Sequence, residues 1–174
     1  MQNPLSPTVT SPAQLPLVLD STVVSNFHRA DGLSRILELW SGRWLVPLQV
    51  RDEAAAWPTE GKRVVSALED RRERRVLDFA ALDPRNEGLT FARLSRTLGQ
   101  GESATITIAY HRHYGVALDD YPAQRACHRL VPPVPWTATE GLLQCAVAEG
   151  YLTRDQARAI WAAMGILDLK RQVP

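Results

Sequence analysis

Two short apolar runs, each closed by aspartate where a helix should begin, constrain the fold of this chain more than any other feature. Leu15-Pro16-Leu17-Val18-Leu19 ends at Asp20, and Val116-Ala117-Leu118 ends at Asp119-Asp120. Apolar runs without alternation suit strands buried on both faces of a parallel sheet. Helical periodicity fills the intervals between them, and strands alternating with helices imply right-handed crossovers that cover both faces of such a sheet. With 174 residues, 45% of them hydrophobic, the chain can bury one proper core and should fold as one domain.

After Asp20, Ser21 and Thr22 begin a helix that runs to about Leu39, with an interruption at Asp31-Gly32. Trp44-Leu45-Val46 reads as a second strand. Pro47 suits the first turn of the next helix, which Pro58 stops after Trp57. The apolar positions Val65, Leu68, Val76 and Phe79 predict one long helix from about Gly61 to Leu82. Shorter helices are expected over Phe91 to Leu98, Glu102 to His113 and Pro122 to Arg129, with Gly99-Gln100-Gly101 as a turn and an extended piece around Val134. Two closing helices follow, about Ala138 to Glu149 and Thr153 to Met164.

Residues 1–14 are rich in Pro, Ser and Thr and predict a flexible tail ahead of a domain over 15–174, in which about 137–165 is a C-terminal helical extension. The tail has neither the basic start nor the apolar run of a signal peptide, and no stretch suits a membrane anchor. Cys127 and Cys145 lack metal-ligand spacing and a disulfide pattern, so a reducing cytoplasm is expected. Lys and Arg total 20 against 19 Asp and Glu, a net charge of +1, so any nucleic acid must be held by a local patch.

The acids carry the candidate chemistry. Asp20 and Asp119-Asp120 directly follow strands, at the carboxyl-end edge where open α/β sheets gather ligands. Each can equally be a helix cap that accepts backbone N–H groups. Glu53 shares one helical face with Val50, Ala54 and Trp57, whereas Asp52 lies off that stripe. A carboxylate so placed requires a partner, an arginine at the stripe's edge or something else, because burying it alone costs several kcal/mol. Glu102 falls in a helix's first turn, where the dipole already favours an acid, yet it shares a face with Ile106 and Ala109. Should these acids converge, their repulsion would call for a divalent cation. Hard oxygen donors without Cys or His select Mg²⁺ or Mn²⁺, the ions of phosphodiester chemistry.

Four pieces together resemble the PIN-domain family, in the branch that opens with Asp-Ser/Thr and carries a Gly-Glu motif and a later Asp-Asp motif. They are Leu19 to Asn26, Val46 to Ala54, Leu98 to Ala104, and Leu118-Asp119-Asp120 with Arg125, spread over most of residues 15–130. The resemblance implies a doubly wound parallel sheet of about four to five strands flanked by helices, and a Mg²⁺- or Mn²⁺-dependent ribonuclease acting on RNA. It further implies the toxin of a toxin–antitoxin pair, with a cognate antitoxin protein and a homodimer as expected partners. Asp20, Glu53, Glu102 and one of Asp119 and Asp120 match the family's metal-binding acids, and Ser21 or Thr22 matches its hydroxyl beside the first aspartate. Asn26 and Arg125 fall within the matching pieces as supporting residues. Many family members have aspartate where this chain has Glu102.

Other features read more plainly. His111 and His113 point to different helical faces and share no metal, and His28 and His128 read as ordinary polar contacts. Arg71, Arg72, Arg74 and Arg75 are interleaved with Glu69, Asp70 and Glu73, as on a solvated helix with ion pairs at i,i+4. The five tryptophans are scattered without a stacking-platform pattern and are assigned to core and interfaces. Two other function classes compete with the nuclease. One is a non-catalytic protein-interaction module with a PIN-like fold. The other is a phosphotransferase with an aspartyl nucleophile, which Ser21-Thr22 disfavours because no second acid stands two positions after Asp20.

Overall fold

The computed structural model describes residues 10–165. Five strands form one sheet: β1 (Leu17–Leu19), β2 (Trp44–Pro47), β3 (Leu77–Ala80), β4 (Gly115–Ala117) and β5 (Trp136–Thr137). Their spatial order is β3-β2-β1-β4-β5 and every pairing is parallel. The chain therefore runs outward from β1 to β3, crosses back over β1 to β4, and continues outward to β5. The reversal lies between β1 and β4, whose carboxyl ends carry the aspartates named above. A doubly wound sheet opens its ligand crevice at such a point.

The helices are α1 (Ser21–Arg29), α2 (Leu33–Leu39), α3 (Leu48–Ala55), α4 (Gly61–Glu73), α5 (Gly88–Leu94), α6 (Gln100–Arg112), α7 (Tyr121–Arg129), α8 (Thr139–Ala148) and α9 (Arg154–Ala163). The sheet's alternation sorts them into two layers. Leu17 and Leu19 feed a core with α1 to α4, α8 and α9, while Val18 faces a second core built from α6 and α7 with Val116, Leu118 and Trp136. All three β1 residues are buried, as a central strand covered on both faces requires. None of the described helices is long and apolar enough to cross a membrane.

The long helix expected over Gly61 to Leu82 is instead a helix and a strand. α4 ends at Glu73, Arg75 takes a left-handed φ of 58°, and Leu77 to Ala80 pair with β2 as an edge strand. Val76 and Phe79 continue the helical spacing, so periodicity alone hides the break. Strand pairing exposes Asp78 and buries Leu77 and Ala80 on opposite faces of the sheet, a pattern without the alternation that would announce a strand. The interruption expected at Asp31-Gly32 is present, with Asp31 at a φ of 51° between α1 and α2.

Of the tail expected over 1–14, residues 1–9 lie outside the described residues. Thr10 and Ser11 are buried; Ser11 Oγ donates to Glu149, and Arg43 donates at 3.0 Å to the carbonyls of Pro12 and Ala13. The region expected as a C-terminal extension opens inside the sheet as β5, and Leu142, Leu143, Ala157 and Ile160 then join the first core. Of the arginine cluster, Arg74 reaches Glu38 at 2.8 Å and Asp70 at 3.8 Å, so α4 pairs with α2 as well as along itself. Both cysteines are free and buried, and burial pushes the Cys127 thiol up to about 12.

Candidate active site

Each candidate acid is placed by a different element. Asp20 leaves the carboxyl end of β1 and caps α1, its Oδ2 accepting from the Thr22 amide at 3.1 Å and the Thr22 hydroxyl at 2.5 Å. Its other oxygen, Oδ1, is buried and has no hydrogen-bond partner within the protein. Burial pushes the carboxyl above the ordinary aspartate range; the hydrogen bonds from Thr22 and Ser21 pull it back, and the charge of Glu53 adds to the rise. Capping explains Oδ2 and leaves Oδ1 unexplained.

Glu53 lies on α3 beside the fully buried Val50 and Ala54. The arginine considered for it from the sequence is not its partner: Oε1 accepts the backbone N–H of Gly101, at the start of α6, at 2.7 Å. A Cβ at Gly101 would collide with the Glu53 carboxylate. The glycine is thus what lets a helix N-terminus close on an acid. Next in the chain, Glu102 folds back so that Oε2 accepts the Gly99 N–H at 3.0 Å, the return half of a capping box. Burial raises its carboxyl above the ordinary range, the Gly99 bond opposes this, and the charges of Asp20, Asp120 and Glu53 raise it further. β1, α3 and the β4–α7 turn therefore deliver the Asp20, Glu53 and Asp120 carboxyls into electrostatic reach of Glu102 on α6.

The Asp119-Asp120 pair separates into two roles. Asp119 accepts three hydrogen bonds: Oδ1 from the Thr139 amide at 2.8 Å, and Oδ2 from the Thr139 hydroxyl at 2.5 Å and from Asn26 Nδ2 at 2.8 Å. It ties α1 and α8 to the end of β4. Asp120 caps α7 without a side-chain bond to the helix and is the member of the pair whose charge acts on Glu102. Arg125 lies on α7 with its guanidinium 5.9 Å from the Tyr121 ring centre. Ser21, also proposed from the sequence, lines a cleft of about 840 Å³ together with Thr22, Asn26, Asp119 and Asp120.

Gly101 and Thr139 are site residues that the sequence does not mark as such. The first falls in the expected turn, though it directly precedes a candidate acid. The second lies in the C-terminal region, and nothing local marks it. Among the described residues, no three His, Cys, Asp or Glu side chains already stand close enough to hold one ion as they lie. The donor set nevertheless suits a hard divalent cation. It is all carboxylate, the charges of its neighbours add to the rise of Asp20 and Glu102, and it contains a buried oxygen without a partner, the kind of atom whose satisfaction an ion supplies.

The histidines stay apart from this set. His111 meets Thr90 at 2.8 Å, His128 accepts from Trp136 Nε1 at 3.2 Å, and His28 stands 3.2 Å from Glu60.

No curated protein matches the chain. The model of a family described as a PIN domain matches residues 16–166, from the approach to β1 to just beyond α9. That match spans nearly all of the folded chain, both strand ends that carry aspartates and the region beyond β4, and on it the chain belongs to the PIN-domain family, whose fold is of the nuclease type.

Proposed function

We propose that this protein is a metal-dependent endoribonuclease, with Asp20, Glu53, Glu102 and Asp120 as the acids that hold Mg²⁺ or Mn²⁺. The observation that carries this reading is that carboxyls from four elements act on one another at Asp20 and Glu102, which burial and neighbouring acids raise, while the buried Asp20 Oδ1 is satisfied by nothing in the protein. Such a cluster is tolerable when a cation neutralises it. A bound ion would supply charge neutralisation at the phosphate and a more acidic water.

The protein's own groups orient the acids. Thr22 fixes Asp20 through one oxygen and leaves the other for the ion. The Gly101 and Gly99 amides fix Glu53 and Glu102. On this reading Asp119 is a positioning residue, since both its oxygens are engaged by Asn26 and Thr139. Arg125 pairs with no acid among the described residues and is assigned to the RNA backbone. A narrower role, which the family likeness supports, is the toxin of a toxin–antitoxin pair, restrained by a small partner protein. Growth arrest on expression, relieved by co-expression of a neighbouring small gene, is its expected sign; harmless overexpression would count against it.

The deciding experiment for the chemistry is cleavage of a labelled single-stranded RNA by purified wild type and Asp20→Asn, with Mn²⁺ or EDTA. Cleavage by wild type in Mn²⁺ only, absent from a folded Asp20→Asn, is expected. Retained cleavage by the variant would remove Asp20 from the site. A non-catalytic interaction module is the second reading, favoured because each acid also has a capping or tethering bond or position and no three are yet gathered around one point. It predicts no metal dependence of stability.

A further inference from the structure

The cleft that Asp119 and Asp120 line is also lined by two tryptophans. Trp57, just beyond α3, and Trp161, on α9, lie far apart in the chain but line the same cavity as Asp119 and Asp120. Both indoles are half-buried and packed against the first core, so they are anchored on one side and open on the other. The cavity of about 840 Å³ falls in the range of small-ligand sites. Arg29, at the end of α1, lines it as well and is exposed, with no ion pair among the described residues. Glu60, an acid that also lines the cavity, is met by His28 at 3.2 Å and Arg63 at 3.6 Å. Beside Asp120, the cleft therefore offers aromatic surface and an unpaired cation, the combination that binds a base and its phosphate.

We propose that the Trp57–Trp161 cleft is a nucleobase subsite, in which the indoles stack on a base of the RNA neighbouring the scissile phosphate and Arg29 contacts the adjoining phosphate. This rests on the nuclease reading for the identity of the strand. The indoles contribute sequence-tolerant binding, because every base presents a π-face. Arg29 contributes a salt-sensitive part.

The test is direct binding of a fluorescein-labelled RNA hexamer, followed by anisotropy and by intrinsic tryptophan quenching, in EDTA so that no metal-dependent cleavage intervenes. Trp161→Ala and Trp57→Ala should each weaken binding by about 5- to 150-fold, the fold-change that matches loss of one stacked base. Trp161→Phe should restore most of it. Arg29→Gln, an exposed change that leaves the core intact, should lower the slope of log affinity against log salt by about 0.7. Equal affinities and salt slopes of wild type, a folded Trp161→Ala and Arg29→Gln, with unchanged tryptophan emission on titration, would overturn the subsite and leave the cleft to a protein partner. Binding that meets these expectations in a protein without RNase activity would uphold the subsite and sink the catalytic reading. Cleavage indifferent to the tryptophans would do the reverse.

Discussion

Replacing Asp20 by Asn removes one charge from the proposed metal site while retaining an oxygen to cap α1 at Thr22, since Asn is as good a helix cap as Asp. Mn²⁺ at about 100 times its dissociation constant stabilises a folded protein by roughly 2.7 kcal/mol. At this chain length about 1 kcal/mol moves Tm by some 2–4 °C, so wild type should gain roughly 5–10 °C. Asp20→Asn should gain little. The same pair of proteins gives a pH signature in EDTA. The Asp20 and Glu102 carboxyls are raised in the fold, so the folded state holds their protons more tightly than the unfolded chain does. Their contribution to stability is complete below the unfolded values and is lost as pH rises through the raised ones. Wild type should therefore lose ground to Asp20→Asn as pH rises above about 4, the ordinary carboxylate range, and Mn²⁺ should reverse the order. Differential scanning fluorimetry across pH, with Mn²⁺ or EDTA, measures both effects. A wild-type Tm that ignores Mn²⁺, together with a pH-independent difference between the two proteins, would refute the electrostatic argument.

Gly101→Ala should displace the Glu53 carboxylate, lower stability by about 1–3 kcal/mol as overpacking does, and depress RNA cleavage more than Gly99→Ala, because a Cβ at Gly99 meets only the end of the Glu102 side chain; urea titration beside a cleavage assay checks this. The two aspartates after β4 should part company. Asp119→Ala strands the Thr139 amide and Asn26 and should cost about 1–3 kcal/mol, whereas Asp120→Asn should keep its Tm in EDTA and lose the Mn²⁺ response. Away from the site, Arg112→Ala leaves the buried Glu87 without the guanidinium 2.9 Å away and should destabilise the domain by about 3–5 kcal/mol in chemical denaturation. A loss below about 1 kcal/mol, the range of exposed pairs, would show that the Asp83 amide and water suffice for Glu87.

Local sequence determined much of this protein. Unalternating apolar runs specified β1 and β4 as strands covered on both faces, and the aspartates closing them had to stand at the carboxyl edge of the sheet. Helical spacing placed Glu53 beside Val50 and Ala54, and the helix-start pattern placed Glu102 in the first turn of α6. These are short-range consequences of backbone geometry, so neighbouring residues suffice to read them. Tertiary structure decided the rest, because it depends on partners distant in the chain. Only pairing with β2 turns Leu77–Ala80 from apparent helix into strand. Nothing near Glu53 indicates that its partner is the Gly101 amide rather than an arginine. Asp119 and Asp120 are adjacent and chemically identical, yet contacts from α1 and α8 tie the first and leave the second to act on Glu102. Trp57 and Trp161 are scattered in sequence and come to line one cleft only when α9 packs into the first core, for a side chain's neighbours across a fold are set by packing rather than by spacing.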